Sequence, residues 1–395
     1  MKKIFFLLLI SSALDIFAQT PPTPPARLKY FGFAFVDCGI DDPNDASPNT
    51  NFTTEVDSFS NIAELHFNND SDTIISRVNL MNAHCMKPIL SVSSVFVYLA
   101  NSNGPSGSNY DLYPNYLARW NHFKTVNSSV LNSNKIEMIY VCDEPTWNGV
   151  TFGELDTICT TIHNDFPNIP LIFVEAFTEV ANVQIPTTVT WVGFDHYGIA
   201  DVSTDVNYLN WLHTLESKRS TPNQRIMLVF DDEWNAGYWP AGYTPDTMEQ
   251  VFSHYYDLAL ADTNVIGLTG FTWPGIAPGW LGARSLPQHV IDKTVQIGQL
   301  IKKTNYSPCN NTAVENNIAE EAINIYPNPS SGKFTIESEN SFEEFSITNL
   351  LGEKIYSSKT FSNKTEINLS DQLKGIYLLE LKKDNNVKRK KIIVN

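Results

Sequence analysis

The stretch I-E-M-I-Y-V-C-D-E-P, residues 136–145, places an uncharged apolar run directly before two carboxylates and a proline. Residues 138–142 include β-branched and aromatic side chains, which is typical of a strand buried on both faces. Because the residue before a proline favours extended geometry, Glu144 is predicted to continue the line of this strand. The stretch therefore predicts a buried strand that delivers Asp143 and Glu144 into a cavity at its carboxyl end.

Similar apolar runs recur along the chain. Strands are predicted at residues 30–36, 62–67, 88–95, 136–143, 171–174, 189–194, 226–230 and 265–271. Segments with helical periodicity separate most of them, and this alternation favours a parallel (β/α)8 TIM barrel at residues 29–304. The alternative is a doubly wound open sheet, which is disfavoured because no Gly-rich phosphate loop follows the first strand.

The amino terminus has the features of a secretory signal peptide. Lys2 and Lys3 precede an apolar run at residues 4–10, and small residues surround Ala18. These features predict a signal peptide at residues 1–18, followed by a proline-rich lead at residues 19–28. No later run is long and apolar enough to cross a bilayer, so an exported, soluble protein with no transmembrane segment is expected.

The charge balance narrows the class of partner. The formal net charge is −16, from 27 Lys and Arg against 43 Asp and Glu. This excess of negative charge argues against nucleic acid and anionic membranes as partners, and it is compatible with a neutral glycan. An acidic surface also keeps an exported protein soluble, which accounts for most of the charge by itself.

The five cysteines form no C-x-x-C pair, so neither a zinc ribbon nor a disulfide scaffold is indicated. An oxidising compartment allows one or two disulfides, and at least one thiol is then left over. Cys38 and Cys142 are in apolar contexts, which predicts buried structural thiols rather than nucleophiles.

The character of the sequence changes after the predicted barrel. Residues 305–322 are a linker by composition, and residues 323–395 contain short alternating segments that predict a small all-β, immunoglobulin-like sandwich. Its motifs are I-N-I-Y-P-N-P-S-S-G-K-F at 323–334, N-L-L-G-E-K-I-Y at 349–356, L-K-G-I-Y-L-L-E-L at 373–381 and V-K-R-K-K-I-I-V at 387–394.

With these motifs the tail resembles the C-terminal (type A) sorting domain of type IX secretion substrates. The resemblance implies an export route of the Bacteroidetes type, with the type IX secretion machinery as a partner. It also implies removal of the domain after export and a location that is secreted or at the outer-membrane cell surface.

If the strands close into a barrel, the residues just past each strand share one mouth. They are Asp37, His66, Ser94, Asp143, Glu144, Glu175, Asp195, His196, Tyr197, Asp231, Asp232, Glu233 and Trp273. Further aromatic residues lie in the loops, including Trp147 and Trp234. Aromatic rings stack on the apolar faces of sugars, and carboxylates accept hydrogen bonds from hydroxyl groups, so this mouth predicts a glycan site.

The acids after the fourth and seventh strands resemble those of clan A glycoside hydrolases, and Asp143-Glu144-Pro145 matches the Asn-Glu-Pro motif of that clan in its last two positions. The resemblance implies a retaining two-carboxylate mechanism with Glu144 as the acid/base. It favours Glu233 as the nucleophile, with Asp231 as the competitor. Asp143 replaces the asparagine of the motif, and its charge is expected to raise the pKa of Glu144.

Side chains alternate along a strand, so Asp231 and Glu233 are expected to point the same way and Asp232 the other way. A solvated turn or a calcium site is the alternative for residues 231–233. The predicted substrate-binding residues are Asp37, His66, Asp143, Trp147, Asp195, His196, Tyr197, Trp234 and Trp273. No cofactor and no metal ion is expected.

Two other functions compete with hydrolysis. The acid at position 143 and the ambiguous seventh-strand acid allow a non-catalytic glycan-binding surface protein on a degenerate barrel. A metal-dependent hydrolase using His66, His196 and Asp231 is disfavoured, because the first strand, F-A-F-V-D, lacks a His-x-His pair.

Overall fold

The computed structural model describes residues 21–240, 242–310, 323–338, 342, 344–349, 354–359, 363–383 and 386–395. The predicted signal peptide and most of the predicted linker lie outside these ranges. The described residues form two compact units, one ending at residue 310 and the other beginning at residue 323.

The first unit is a closed barrel of eight parallel strands, which confirms the predicted fold. In chain order the strands are β1 (Tyr30–Asp37), β2 (Ile62–Leu65), β3 (Lys87–Ser91), β4 (Met138–Asp143), β5 (Leu171–Ala176), β6 (Trp191–Asp195), β7 (Arg225–Asp231) and β8 (Val265–Phe271). Each strand pairs with the next along the chain, and β8 pairs with β1 to close the barrel.

Helices surround this barrel. The α-helices are Thr53–Val56, Ile75–Ala83, Ser93–Phe96, Tyr116–Asn127, Phe152–Asp165, Val206–Ser217, Met248–Ala261 and Gln288–Thr304, and short 3-10 turns lie at Phe177–Glu179, Pro245–Thr247, Ala283–Ser285 and Pro308–Asn310. Helix Phe152–Asp165 begins with a capping box, in which Thr151 and Glu154 satisfy each other's backbone N–H groups.

Large side chains fill the amino-terminal half of the barrel interior. This buried cluster consists of Ile62, Ile89, Met138, Ile172, Trp191 and Met227. The space is so tight that a Cβ atom at Gly193 would lie 2.6 Å from the Met227 carbonyl oxygen. The interior is therefore packed at that end, and room for a ligand remains at the carboxyl ends of the strands.

The structure corrects the prediction after the third strand. β3 ends at Ser91 instead of residue 95, and an antiparallel hairpin follows, in which Val97–Asn101 pairs with Asn109–Leu112. Val97 pairs with Leu112 and Leu99 pairs with Tyr110 across this hairpin. Such apolar cross-strand pairs stabilise a hairpin despite the Asn, Ser and Gly residues at its tip.

A disulfide joins Cys85 to Cys309, with their Cα atoms 5.0 Å apart and 224 positions between them in sequence. Cys38, Cys142 and Cys159 are free thiols. Of the two thiols predicted to be buried, Cys142 is buried and Cys38 is only half-buried.

Because the bond closes so long a loop, replacing both Cys85 and Cys309 with serine should lower the free energy of unfolding by about 3–5 kcal/mol. Denaturant unfolding of the oxidised, reduced and double-serine proteins measures this. The reduced and double-serine proteins should unfold alike. Equal stability of the oxidised and reduced wild type would contradict the prediction.

The second unit is all-β, as predicted. Ile323–Tyr326, Lys333–Ser338 and Lys364–Asn368 form one antiparallel sheet, and Lys354–Ser358, Glu344–Asn349, Gly375–Lys383 and Asn386–Val394 form another. Its buried core includes Phe334, Ile336, Phe345, Ile347, Leu379 and Leu381. The alternating apolar positions of these strands supply that core, which is why the period-two pattern was informative.

Candidate active site

A cavity of about 600 Å³ opens at the carboxyl ends of the barrel strands, and each of the eight strands contributes to its lining. Its volume lies within the usual range of about 300–1,000 Å³ for small-molecule sites. The ionisable and hydrogen-bonding side chains of the lining include Glu64, His66, Tyr140, Asp143, Glu144, Asp195 and Tyr197. The sequence predicted five of these seven, and the cavity therefore brings together much of the expected site.

Glu144 leaves strand β4 in a left-handed conformation, with φ +40°, and not in the extended geometry that Pro145 predicted. Its N–H still donates to the Val174 carbonyl oxygen at 2.8 Å. The carboxylate of Glu175 accepts the next backbone N–H groups, those of Thr146 at 2.9 Å and Trp147 at 3.2 Å. These buried backbone contacts outweigh the local preference of a pre-proline residue, and they aim Glu144 into the cavity.

The Glu144 carboxyl group is held in its protonated form. Burial, the charge of Asp195 and the charge of Asp143, in that order, raise its pKa to about 10. The protonated Glu144 donates a hydrogen bond to Asp195, whose own pKa is raised to about 7, chiefly by burial. Glu144 is therefore a neutral proton donor at neutral pH. The expected effect of Asp143 is present, but Asp195 contributes more.

Asp143 is exposed to the cavity but surrounded by protein, so burial raises its pKa. The Tyr140 hydroxyl donates to one of its carboxylate oxygens. Asp143 and Glu144 thus leave the same strand with different partners, and only Asp143 has a tyrosine hydroxyl as a donor.

Glu64 is a cavity residue that the sequence analysis missed. Its Oε2 accepts the Phe35 N–H at 2.9 Å, and burial raises its pKa to about 7. The signal was present, because Ile62, Glu64 and His66 alternate along the strand predicted at residues 62–67, and a glutamate on the inner face of a buried strand is unusual.

His66 faces the cavity, and Asp37 lies beside it. His66 Nδ1 is 3.3 Å from Ser91 Oγ, and burial and the Arg77 charge lower the pKa of the ring. Asp37 instead forms a two-point ion pair with Arg77, at 2.9 and 2.8 Å. Asp37 lines a neighbouring cavity of about 520 Å³ and not the central one.

The three acids at the end of β7 have different partners. Asp231 Oδ2 accepts the Gly198 N–H at 2.7 Å, on the side of β6. Asp232 Oδ2 accepts the Thr294 hydroxyl at 3.0 Å, on the last barrel helix. Glu233 is fully buried, and neither of its carboxylate oxygens has a hydrogen-bond partner in the described part of the chain. Burial raises the pKa of Glu233 to about 8.

Glu233 lies close to the loops that carry Trp234 and Trp280. Trp234 and Leu281 exchange two backbone hydrogen bonds, at 2.9 and 2.8 Å. Asn44 accepts the Gly279 N–H and donates to the Trp280 carbonyl oxygen, both at 2.8 Å. These contacts tie together the three loops after β1, β7 and β8.

Asn235 and Trp280 are the donors nearest to Glu233. Both lower its pKa, but their Nδ2 and Nε1 atoms stop short of hydrogen-bond geometry with any described residue. Buried polar atoms are normally paired. The unpaired donors and the unpaired carboxylate therefore form a buried polar cluster with unused hydrogen-bonding capacity.

Tyr238 lies between this buried cluster and Tyr197 in the wall of the central cavity. Its ring centroid lies 6.1 Å from that of Tyr197 and 6.0 Å from that of Trp280. Burial raises the pKa of its hydroxyl to about 12, with further contributions from four acids, Asp231, Glu233, Asp195 and Glu144. One hydroxyl is thus within electrostatic reach of the acids of β4, β6 and β7.

Seven of the predicted site residues do not line the central cavity, namely Asp37, Trp147, His196, Asp231, Glu233, Trp234 and Trp273. Trp273 is buried against Phe33 and Phe59, at centroid distances of 5.1 and 5.5 Å, so it belongs to the core. The ring of His196 lies 3.8 Å from that of Phe177 and 4.7 Å from that of Trp211. Trp147 is half-buried in the loop after Glu144.

Residues 324–395 match the family model described as a secretion system C-terminal sorting domain. This match confirms the resemblance of the tail to type IX sorting domains. The chain is therefore an exported protein, secreted or held at the outer-membrane surface, and the secretion machinery is a partner. Among the described residues, no helix combines the length and apolarity that a membrane crossing requires.

No curated protein sequence matches this chain significantly. Similar solved structures include a β-glucuronidase from Bacteroides uniformis, 9% identical with a TM-score of 0.43, covering 92% of this chain and 46% of that one. The β-mannanase AaManA of family GH113 from Alicyclobacillus acidocaldarius is 12% identical, with a TM-score of 0.46 and coverage of 70% and 100%.

The xylanase Xyn10A from Cellvibrio japonicus is 11% identical, with a TM-score of 0.44 and coverage of 69% and 97%. This chain spans less than half the length of the glucuronidase, at 46%. These low identities and TM-scores leave the chemistry of this chain to be inferred from its own cavity.

Proposed function

We propose that this exported protein is a glycoside hydrolase that cleaves a polysaccharide or oligosaccharide by a retaining mechanism, with Glu144 as the acid/base and Glu233 as the nucleophile. The observation that carries the proposal is a carboxylic acid kept neutral at the carboxyl end of β4, in a cavity of about 600 Å³ that Asp195 of β6 also lines. The acids at the end of β7 are buried behind the wall of this cavity. Glycoside cleavage requires one protonated and one ionised carboxyl group. Burial raises the pKa of Glu233 to about 8, so Glu233 ionises as pH rises through that value, while Glu144, with a pKa of about 10, still keeps its proton.

In the first step Glu144 donates its proton to the glycosidic oxygen while the Glu233 carboxylate attacks the anomeric carbon. The bond to the leaving sugar breaks, and an ester to Glu233 forms. In the second step the ionised Glu144 takes a proton from water, the water oxygen attacks the anomeric carbon and the ester breaks. The proton returns to Glu144 and the carboxylate to Glu233, so the cycle closes.

Glu233 is favoured over Asp231 because both of its carboxylate oxygens are unpaired, whereas Asp231 already accepts the Gly198 N–H. Its unpaired neighbours Asn235 and Trp280 would donate to sugar hydroxyls or to the carboxylate itself. Phe271 and Tyr197, which stack with ring centroids 4.9 Å apart in the cavity wall, would contact the apolar face of a sugar.

A screen of the full mature chain tests the proposal. The chain is incubated with a panel of plant, algal and microbial polysaccharides and aryl glycosides, with Glu144→Gln in parallel, and the anomer first released is identified by proton NMR. We expect product from the wild type, with the anomeric configuration of the substrate retained.

The competing function is glycan binding without cleavage, which is favoured by the complete burial of Glu233. Binding of a glycan by both proteins with product from neither would establish it. A product of inverted configuration would instead show that the second carboxylate acts as a general base on water and not as a nucleophile.

A further inference from the structure

Asp195 lies in the cavity between two hydrogen-bond donors. It ends strand β6, and its Oδ2 accepts the Tyr197 hydroxyl at 3.0 Å. Tyr197 is in turn fixed by stacking on Phe271, with an interplanar angle of 27°. The second donor is the protonated carboxyl group of Glu144, which arrives from the end of β4. Asp195 is therefore oriented from both sides by protein groups.

We propose that Asp195 is a positioning residue that holds the Glu144 proton in place and aimed into the cavity, and is not a ligand for a sugar hydroxyl. The proposal rests on the proposed role of Glu144 as the acid, and it assigns to Asp195 a role different from the substrate contact that its place at the mouth predicted. Two acceptor positions of this carboxylate are already taken by protein donors, so its orientation is set by the protein.

Electrostatic interactions also favour keeping the proton on Glu144. Removing the proton from Glu144 would place two largely buried carboxylates against each other, and this repulsion favours the protonated acid. The Tyr197 hydroxyl stabilises the negative charge on Asp195, so the proton that the pair retains lies on Glu144. When Glu144 has given its proton to the leaving group, the same repulsion makes it a strong base toward water.

Asp143 is a matched control within the same cavity. It is also an aspartate beside Glu144, and its charge also raises the pKa of Glu144. Its donor, however, is the Tyr140 hydroxyl, and it accepts no hydrogen bond from Glu144. Asp143→Asn therefore removes a neighbouring charge, whereas Asp195→Asn removes the charge that directly faces the Glu144 proton and replaces one of its two acceptor oxygens with an amide donor.

The test compares the wild type, Asp195→Asn and Asp143→Asn as full mature chains. The first measurement is kcat/KM against pH with two aryl glycosides of the same sugar, one with a poor leaving group and one, a dinitrophenyl glycoside, with a good one. The upper pH limit reports the acid that must be protonated. Since Asp195 raises the pKa of Glu144, its loss should move this limit to lower pH.

We expect Asp195→Asn to lower the upper limit by at least about one pH unit and to slow the poor leaving group at least about tenfold more than the good one. Asp143→Asn should shift the limit by less and show less dependence on the leaving group. A general loss of structure would affect both leaving groups equally. Equal effects of the two variants would overturn the proposal.

A second measurement is independent of turnover. Carbon-13 NMR of carboxyl-labelled protein identifies the Glu144 resonance by its absence in Glu144→Gln. Its titration midpoint should fall in Asp195→Asn, and in the wild type its curve should show the inflection of a coupled partner. The wild-type curve is informative even where a variant does not fold. If the titration of Glu144 in the wild type shows no coupling to Asp195, the positioning role is rejected. If the pair is coupled but the protein cleaves no glycoside, the proposed hydrolase function is rejected and the interaction of Glu144 with Asp195 stands.

Discussion

Replacing Glu144 with glutamine is expected to lower kcat/KM by about 10²–10⁴-fold on glycosides whose leaving group needs a proton. Glutamine has nearly the same shape and keeps a donor toward Asp195, but it cannot release a proton to the glycosidic oxygen. The loss should shrink as the leaving group improves, because a stable phenolate departs without protonation. A series of aryl glycosides with decreasing phenol pKa measures this dependence.

Azide provides a complementary measurement for this variant. A small anion can replace water in the second step without a general base, so it should restore turnover of the dinitrophenyl glycoside and yield a glycosyl azide of retained configuration. Glu179→Gln, in the 3-10 turn after β5 and outside the cavity, is the matched control and should behave as the wild type. A loss in Glu144→Gln that is equal for all leaving groups would show that Glu144 is not the acid.

The second large effect is expected at Glu233. Glu233→Gln should lower kcat on the order of 10⁴-fold or more with every leaving group, since no ester to the enzyme forms without the nucleophile. Asp231→Asn should cost less, because one of its oxygens already accepts the Gly198 N–H. Steady-state kinetics of the two variants on the dinitrophenyl glycoside separate these outcomes.

Covalent trapping identifies the nucleophile directly. The probe is a 2-deoxy-2-fluoro glycosyl fluoride of the substrate sugar. The nucleophilic carboxylate displaces fluoride from its anomeric carbon and forms an ester, and the fluorine at carbon 2 slows hydrolysis of that ester. Digestion and fragmentation of the labelled peptide should place the sugar on Glu233. A label on Asp231 would transfer the nucleophile role to that residue, and an unlabelled but active protein would exclude a covalent intermediate on either.

The predicted strand positions followed from apolar runs, because a parallel barrel strand is buried on both faces and tolerates few polar side chains. Of the polar residues at the run ends, Asp143, Glu144, Asp195 and Tyr197 line one cavity, whereas Asp37, Asp231 and Glu233, predicted by the same rule, do not line it. Strand rhythm is a local property, and it was sufficient for both the fold and the edge of the barrel that carries the cavity.

The contacts of each side chain depend on residues of other strands and loops, and the sequence did not predict these contacts. Trp273 follows β8 as Tyr197 follows β6, yet it turns into the core, where Glu55 accepts its indole N–H at 2.9 Å. Asp37 is neutralised by Arg77, 40 residues further along the chain. Glu144 adopts a left-handed conformation because Glu175, on the next strand, accepts the backbone N–H groups that follow it.

The disulfide between Cys85 and Cys309 links the stability of the barrel to the export of the chain. Thiols stay reduced in the cytoplasm and are oxidised beyond it, so the crosslink belongs to the exported protein. Cys309 is also among the last described residues before the sorting domain. If the sorting domain is cleaved off beyond Cys309, the disulfide still attaches the last part of the barrel unit to the turn after helix Ile75–Ala83. Local unfolding from the new carboxyl terminus would then stop at Cys309.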